Sequence, residues 1–370
     1  MKRIIVLIIL IFCFSVTASA EDNDYYNDAR QLSGFDSVAE SLPDEVQRLF
    51  RENGIDTQNV NWVENLDSGN LFKMIWSFIS TGGKTPFLAL AELLAIIIIY
   101  ATVNAFTDEK GGLAPTLSYI FSVIIALALI KNIIGSINGC VSAVSGTGVF
   151  MLSFVPVYAG IITVGGAPAT AVSSSALLLG AAELVVSACA FLIVPLMSAY
   201  LGLGVATGMS PLIKDSGVAD AVKKVAMWIL SFCFTLFLGL LSMQTAIGTS
   251  ADSMSVKTAK FMVGSFVPVV GSSLSEALTT VIGSVAVLKN SVGIYAVIAI
   301  LALLLPVVIE LLLWRLCIMV CIMASGMFSL PKIPQILKAV DSVFALLIGI
   351  ILFVGALFII ALALVARAGG

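Results

Sequence analysis

Four glutamates lie within or beside apolar segments, where an acidic side chain needs a specific partner. They are Glu92, Glu183, Glu276 and Glu310. An ionised carboxylate near the centre of a bilayer costs about 2.5–3.5 kcal/mol, so it should face a cavity, a partner or an opposite charge. One interpretation is a pathway for an ion or a substrate, with Glu183, Glu276 and Glu310 as candidates. The other is structural: Glu310 pairs with Arg315, for example, and Glu92 reaches the membrane surface.

Four prolines also interrupt apolar stretches, where a freed backbone carbonyl can line a pathway or form a gate. They are Pro156, Pro195, Pro268 and Pro306, and the alternative for each is a simple packing kink. Pro156 and Pro268 lie in a pentapeptide, Ser-Phe-Val-Pro-Val, that occurs at 153–157 and again 112 positions later at 265–269. Pro195 and Pro306 follow the two copies 111 positions apart. The shared order of these landmarks predicts an internal duplication.

Composition places the chain in the membrane and excludes several kinds of chemistry. Hydrophobic residues make up 59% and charged residues 11%, against about 25% charged in soluble domains. The chain has no histidine, which excludes histidine metal ligands and the serine–histidine type of nucleophile. It also has no phosphate-binding GxxxxGK[ST] loop, no CxxC pair and no basic surface for nucleic acid. We therefore expect no enzyme activity, no cofactor and no metal.

The first 85 residues divide into a signal and an acidic segment. Lys2-Arg3, an apolar run over 4–16 and Ala18-Ser19-Ala20 predict a signal peptide over 1–20, the alternative being an uncleaved anchor. Residues 21–85 carry 12 acidic and 5 basic side chains and are expected outside the cytoplasm. Within them we predict a helix capped by Ser41. Its apolar face contains Val46, Leu49 and Phe50.

The rest of the chain is predicted to be an all-α, polytopic membrane domain. It divides into a first span and turn (86–115), a first repeat (116–224), a second repeat (225–330) and a final loop and span (331–370). About six segments are long and apolar enough to cross fully: 86–106, 116–134, 176–205, 225–247, 293–313 and 343–366. Residues 135–148 and 248–260 are expected to be linkers, each followed by a proline-broken segment.

Charge selects between two topologies. If both proline-broken segments re-enter the membrane and the mature N-terminus is outside, the lysine-rich connections 211–224 and 315–338 both face the cytoplasm. This arrangement obeys the positive-inside rule. If both segments cross instead, 211–224 moves outside and violates it. We therefore expect re-entrant segments and an external C-terminus. The two repeats can be either parallel or inverted.

The second repeat also carries a resemblance to a known family. The runs Thr258–Gly271 (TAKFMVGSFVPVVG) and Leu288–Gly293 (LKNSVG) resemble the stage III sporulation protein AE family, as does Gly82-Gly83-Lys84 before the first span. The resemblance implies a component of the channel between mother cell and forespore in endospore-forming bacteria. It further implies partners among the other stage III A proteins and stage II Q, and a place in the mother-cell membrane around the forespore. No catalytic residue is carried over.

Two functional hypotheses therefore stand beside each other. The first is a non-enzymatic membrane subunit of that channel, needed for late forespore gene expression. The second is a self-sufficient secondary transporter, which the duplication, the broken helices and the membrane carboxylates favour. Alanine substitution of Glu183, Glu276 and Glu310 separates the two hypotheses, because a coupled transporter depends on such a site and a scaffold does not.

Overall fold

The computed structural model describes residues 38, 40–52, 82–106, 113–188, 202, 217–266, 271–328, 330 and 332–368. In these residues the backbone is almost wholly helical and contains no strand. Seven helices run through this part of the chain: α1 (Asp44–Glu52), α2 (Lys84–Ala105), α3 (Leu113–Val164), α4 (Pro168–Ala188), α5 (Gly217–Phe266), α6 (Gly271–Met327) and α7 (Ile333–Ala368). All but α1 contain a stretch long and apolar enough to cross a membrane. The predicted all-α, multi-pass class is confirmed.

Three of the helices are much longer than one membrane crossing requires. Helices α3, α5 and α6 have 52, 50 and 57 residues. At 1.5 Å per residue they are about 78, 75 and 86 Å long. The hydrocarbon core of a bilayer is only about 30 Å thick. Each of these helices therefore extends beyond a single upright crossing.

The expected linkers and breaks are not observed where they fall on described residues. Helix α3 continues through 135–148 and past Pro156, and α5 continues through 248–260. Helix α6 also continues past Pro306, which lies within the predicted span 293–313. A proline removes only one backbone donor, and an apolar setting offers the remaining amides no better partner than the helix itself. Pro156 is therefore accommodated within α3 rather than breaking it.

The chain does turn between α3 and α4, at Gly165-Gly166-Ala167. Gly166 has φ 89°, a left-handed conformation that costs glycine little. Its N–H donates to the Thr163 carbonyl, and the Ala167 N–H donates to the Ile162 carbonyl. These two bonds form a Schellman motif that satisfies the last carbonyls of α3. Pro168 then occupies the first position of α4, where its missing N–H is not needed.

Helices α3 and α6 pack antiparallel along most of their length. At one end the Lys332 ammonium, just after α6, lies 3.1 Å from the centre of the Tyr119 ring. Near the other end the two helices approach each other closely at glycines. A Cβ added to Gly293 would lie 3.3 Å from the Tyr158 hydroxyl, and a Cβ added to Gly165 would lie 3.3 Å from Val285 Cγ1. The α3–α4 turn therefore lies at the end of the bundle opposite to the α6–α7 turn.

Helices α7, α5 and α2 complete the bundle. Helix α7 runs back along α6, with the Trp314 and Phe344 rings stacked 5.8 Å apart. Phe234 of α5 packs on Phe353 of α7 with ring centroids 5.2 Å apart. Helix α2 pairs with the start of α3, where the Tyr100 and Phe121 rings stack at 4.7 Å. Ring packing of this kind holds helices together in a membrane, where lipid tails are as apolar as the side chains and the hydrophobic effect does not drive helices together.

The short helix α1 packs on α6 through the predicted apolar face. Val46 and Phe50 are buried, and the Phe50 ring meets the Tyr295 ring edge-on at 5.1 Å. The predicted cap is wrong: the helix begins at Asp44, and the Ser41 hydroxyl donates to the Val38 carbonyl instead. The carbonyl of Pro43 accepts from the amides of the first turn.

The two copies of the pentapeptide lie in different places. Residues 153–157 are inside α3, where Phe154 and Val155 are buried. The second copy begins at the last two residues of α5, and 267–269 lie outside the described residues, as do 1–20 and Pro195. The internal duplication and the signal peptide remain predictions.

Candidate functional site: a carboxylate junction at the α3–α4 turn

The first turn of α4 lacks a cap from its own sequence. The N-cap residue is Ala167, which has no side-chain oxygen, and no Ser, Thr, Asp or Asn stands beside it. The amides of Ala169 and Thr170 would normally donate to such an oxygen. Thr170 is fully buried, so water cannot easily replace the missing acceptor. The sequence around α4 thus leaves two donors to be satisfied from elsewhere in the fold.

Asp252 of α5 supplies both acceptors. Its Oδ1 accepts from the Ala169 N–H at 2.8 Å, and its Oδ2 accepts from the Thr170 N–H at 2.8 Å. The residue is 5% exposed, so the carboxylate is held almost entirely inside the protein. The positive end of the α4 dipole favours this negative charge. Asp252 therefore acts as the N-cap of a helix more than eighty positions away.

A glycine one turn earlier on the same face allows the close approach of α5 to α4. A Cβ on Gly248 would lie 2.8 Å from the Cα of Thr170, a distance that real Cβ atoms essentially never show. Gly248 and Asp252 are four residues apart and therefore face α4 together. Glycine at 248 thus lets the two backbones meet, and Asp252 joins them by hydrogen bonds.

A second polar junction links α6 and α7. Arg315 Nε donates to Asp341 Oδ1 at 2.7 Å, and Arg315 Nη2 donates to Oδ2 at 3.1 Å. This two-bond geometry is the strong form of an arginine–carboxylate pair. Asp341, rather than Glu310, is therefore the partner of Arg315. Each side chain is about 30% exposed, so the pair stands at the border of the core.

The predicted glutamates do not converge on one site. Glu183 is exposed on α4 and Glu92 is exposed on α2. Glu310 is half-buried on α6. Its Cβ lies 3.8 Å from the point where a Cβ added to Gly82, just before α2, would stand. Glu276 belongs to α6, but its side chain lies outside the described residues. Their role in a pathway remains a prediction.

The predicted prolines are equally dispersed. Pro156 is exposed on the surface of α3 and Pro306 is half-buried within α6. Pro195 and Pro268 lie outside the described residues.

Among the residues that the structure describes, no group of three or more cysteine or acidic side chains is placed to hold a metal ion. The site that geometry defines is therefore a structural junction between helices.

Sequence reasoning missed Asp252 for an identifiable reason. The residue lies in 248–260, which polar composition assigned to a linker, whereas the structure extends α5 through it. A usable signal was present at the other partner. The run Gly-Gly-Ala-Pro before α4 predicts a helix start without a capping oxygen, so an acceptor from a distant element was required. The sequence contained no indication of which acidic residue that would be.

The packed apolar helices and their buried polar junctions define a multi-pass α-helical membrane protein. The family model of stage III sporulation protein AE matches residues 57–369, and the chain belongs to this family. It is 26% identical over 227 residues to the stage III sporulation protein AE of Bacillus subtilis (strain 168), an alignment covering 61% of this chain and 56% of that relative. No solved structure matches the chain.

Proposed function

We propose that the chain is a non-enzymatic membrane subunit of the multi-protein channel that links mother cell and forespore during endospore formation. In this function it is needed for late forespore gene expression. The observation that carries the proposal is the family match over residues 57–369. The helical bundle agrees with it, because the polar groups at its junctions are engaged with one another rather than arranged around a substrate.

The exposed surface favours a subunit over an isolated membrane protein. Along α3, exposed apolar side chains extend from Ile120 to Val164, which is 63% exposed. This distance is about 66 Å at 1.5 Å per residue. A hydrocarbon core of about 30 Å covers less than half of it in an upright helix. Neighbouring proteins are the natural cover for the remainder, and we assign that role to the other stage III A proteins and stage II Q.

We assign the chain to the mother-cell membrane that surrounds the forespore, with the end of the bundle that holds the α6–α7 turn on the cytoplasmic side. Lys332 and Lys338 follow α6 directly at this end, and this orientation places them as the positive-inside rule expects. Helix α1 packs on Tyr295, far from this end, which agrees with an extracytoplasmic mature N-terminus. Cysteines introduced singly at 338 and 52 into a cysteine-free variant, and tested with a membrane-impermeant thiol reagent, should be shielded and labelled respectively in intact cells.

The proposal is tested by deleting the gene in its native host and measuring late forespore gene expression after engulfment. The expected result is arrest after engulfment, restored by the intact gene supplied in the mother cell. Supply in the forespore alone should not restore it, because the protein is assigned to the mother-cell membrane. Normal forespore expression and normal spore yield in the deletion strain would contradict the proposal.

The alternative function is a self-sufficient secondary transporter that uses membrane carboxylates. Glu310 favours it most, because it is an acidic side chain half-buried against the start of α2. Alanine substitutions of Glu183, Glu276 and Glu310 separate the two functions. A coupled transporter should lose its activity with one of these substitutions while the protein remains at its normal level. A channel subunit should tolerate each of them as long as it folds.

A further inference from the structure

Two side chains of opposite charge lie on the outer surface of the bundle, within stretches that span the membrane. Glu92 is exposed near the middle of α2, about 12 Å from Lys84 and about 20 Å from Ala105 at 1.5 Å per residue. Lys131 is exposed on α3, within the apolar stretch Thr116–Val164. Among the residues that the structure describes, neither of the two makes an ion pair or a side-chain hydrogen bond. Because a charge in this setting is costly, each of them needs a partner.

Each charge belongs to a stripe of exposed residues whose spacing alternates between four and three positions. The α2 stripe consists of Leu88, Glu92, Ala95 and Ile99, and the α3 stripe consists of Ile120, Ile124, Leu127, Lys131 and Ile134. Apart from the two charges, every member of both stripes is apolar. This spacing is the seven-residue pattern by which two helices pack along each other. A single polar residue within such a pattern fixes the register of the two helices.

Helix α2 runs antiparallel to α3. Its last turns lie near the α6–α7 turn, because Tyr100 stacks on Phe121 in the part of α3 that begins at that end of the bundle. Its start lies away from that turn, because Gly82 is beside Glu310, well before the end of α6. Helix α2 therefore points toward the α6–α7 turn, whereas α3 points away from it.

The two charges consequently lie at the same depth in the membrane. Glu92 is about 12 Å from Tyr100 along α2 and Lys131 is about 15 Å from Phe121 along α3, both in the direction away from the α6–α7 turn. On the same scale every position of the α2 stripe is level with one position of the α3 stripe to within about 3 Å. The level pairs are Leu88 with Ile134, Glu92 with Lys131, Ala95 with Leu127, and Ile99 with Ile124. The acidic position of one stripe thus matches the basic position of the other.

We propose that the α2 and α3 stripes are the contact surface for a second copy of this chain, with Glu92 of one copy paired to Lys131 of its neighbour. Copies that insert in the same orientation form a closed oligomer by rotation about the membrane normal. Such a rotation changes neither the depth of a residue nor the direction of a helix. The α2 stripe of one copy therefore meets the α3 stripe of the next copy antiparallel and in the register of the level pairs.

Charge complementarity identifies the occupant of this surface as a second copy, because every copy carries both charges at one depth. Helix pairs in lipid are held by close packing and by polar contacts between them, and the two stripes provide both. The contact uses only the part of α3 beside α2, so the exposed surface further along α3 remains for other proteins. The proposal goes beyond the channel function and does not rest on it.

The test uses two differently tagged forms of the full-length chain, expressed together and extracted in an uncharged detergent. Association is measured as the fraction of one form that co-purifies with the other. The variants are Glu92→Lys and Lys131→Glu, and the matched control is Lys257→Glu, which reverses an exposed lysine on α5 outside both stripes. Each variant is tested with itself, and Glu92→Lys is also tested with Lys131→Glu.

Wild-type copies should associate with one another, and Lys257→Glu copies should do so equally well. Self-association of Glu92→Lys and of Lys131→Glu should each weaken at least about tenfold, because like charges then meet in the contact. Glu92→Lys copies should associate with Lys131→Glu copies nearly as well as wild-type copies do, because each charge again meets its opposite in the neighbour. Association of this mixed pair also shows that both variants fold. The proposal is overturned if wild-type copies do not associate, if either variant self-associates as wild type does, or if the mixed pair gains nothing.

Cysteine cross-linking in native membranes gives an independent check that leaves both charges in place. In a cysteine-free variant, one tagged form carries Leu88→Cys and the other carries Ile134→Cys, so a disulfide between the two positions can join only different copies. Mild oxidation should produce this mixed dimer. Leu88→Cys with Val164→Cys is the control, because Val164 is exposed at the far end of α3 and should not be reached. A missing mixed dimer, or an equal yield in the control, contradicts the proposal. Neither measurement depends on the sporulation phenotype that tests the channel function.

Discussion

Replacement of Asp252 by alanine should separate α4 from α5 and destabilise the whole bundle. The substitution removes two hydrogen bonds of 2.8 Å, both to a charged acceptor. Bonds to charged groups contribute about 1.5–3 kcal/mol each, and loss of an N-cap costs typically about 1 kcal/mol. The amide of the buried Thr170 and that of the partly buried Ala169 would also be left without acceptors. The two bonds are themselves the cap, so their sum sets the expected loss in the free energy of unfolding at about 3–6 kcal/mol.

Two further variants identify the cause. Asp252→Asn keeps the shape and one acceptor oxygen but turns an amide NH₂ toward the second backbone donor, so it should lose about half as much. Ser253→Ala changes the neighbouring exposed residue, whose hydroxyl bonds only to its own helix, and should stay within about 0.5 kcal/mol of wild type. Together these variants distinguish loss of the cap from a general effect of mutating this part of α5.

The measurement is reversible unfolding of the purified chain in mixed micelles, followed by tryptophan fluorescence. Amide hydrogen exchange at residues 167–172 reports the junction locally, because Asp252→Ala should accelerate exchange at Ala169 and Thr170 before the rest of α4. The reasoning is refuted if Asp252→Ala unfolds within about 1 kcal/mol of wild type. It is equally refuted if exchange at these two amides is unchanged while the protein is destabilised elsewhere.

Three other predictions follow from the same structure. Gly248→Ala should destabilise by about 2 kcal/mol or more in the same unfolding assay, because its Cβ would lie 2.8 Å from the α4 backbone. Gly239→Ala is its control on α5, with nothing within 4 Å of the new methyl group, and should be neutral or stabilising by up to about 1 kcal/mol. Gly166→Ala should cost about 1–2 kcal/mol because φ there is 89°, and a loss no greater than that of Gly239→Ala would contradict this. Arg315→Met and Asp341→Leu should each destabilise the protein more than the double variant does. If the losses of the two single variants instead add up in the double variant, the two side chains are not coupled.

The apolar content of the chain predicted the main features of the fold. All six predicted spans overlap the helices that are long and apolar enough to cross a membrane. This prediction succeeds because about 20 consecutive apolar residues can satisfy their backbone in lipid only as a helix. The face of α1 with Val46 and Phe50 was predicted for a similar reason, since its 3.6-residue period is visible in the sequence itself.

The continuity of α3 and α5 could not be predicted from composition. Gly, Ser and Pro in 135–148, at Pro156 and in 248–260 are typical of linkers in water, where solvent can replace a helical hydrogen bond. In a packed apolar bundle that exchange is unfavourable, so α3 and α5 continue through all of these positions. The turn at 165–167 forms because Gly166 can take φ 89° and Pro168 can begin a helix.

By itself, then, the sequence determined the class of protein, the approximate membrane spans and the family resemblance, because these depend on local composition and on motifs. Only the tertiary structure decided where its buried charges find partners. Asp252 meets amides more than eighty positions earlier, and Arg315 meets Asp341. Such pairings depend on which helices lie side by side and in what register. That register is set by packing across the whole bundle, which no local pattern records.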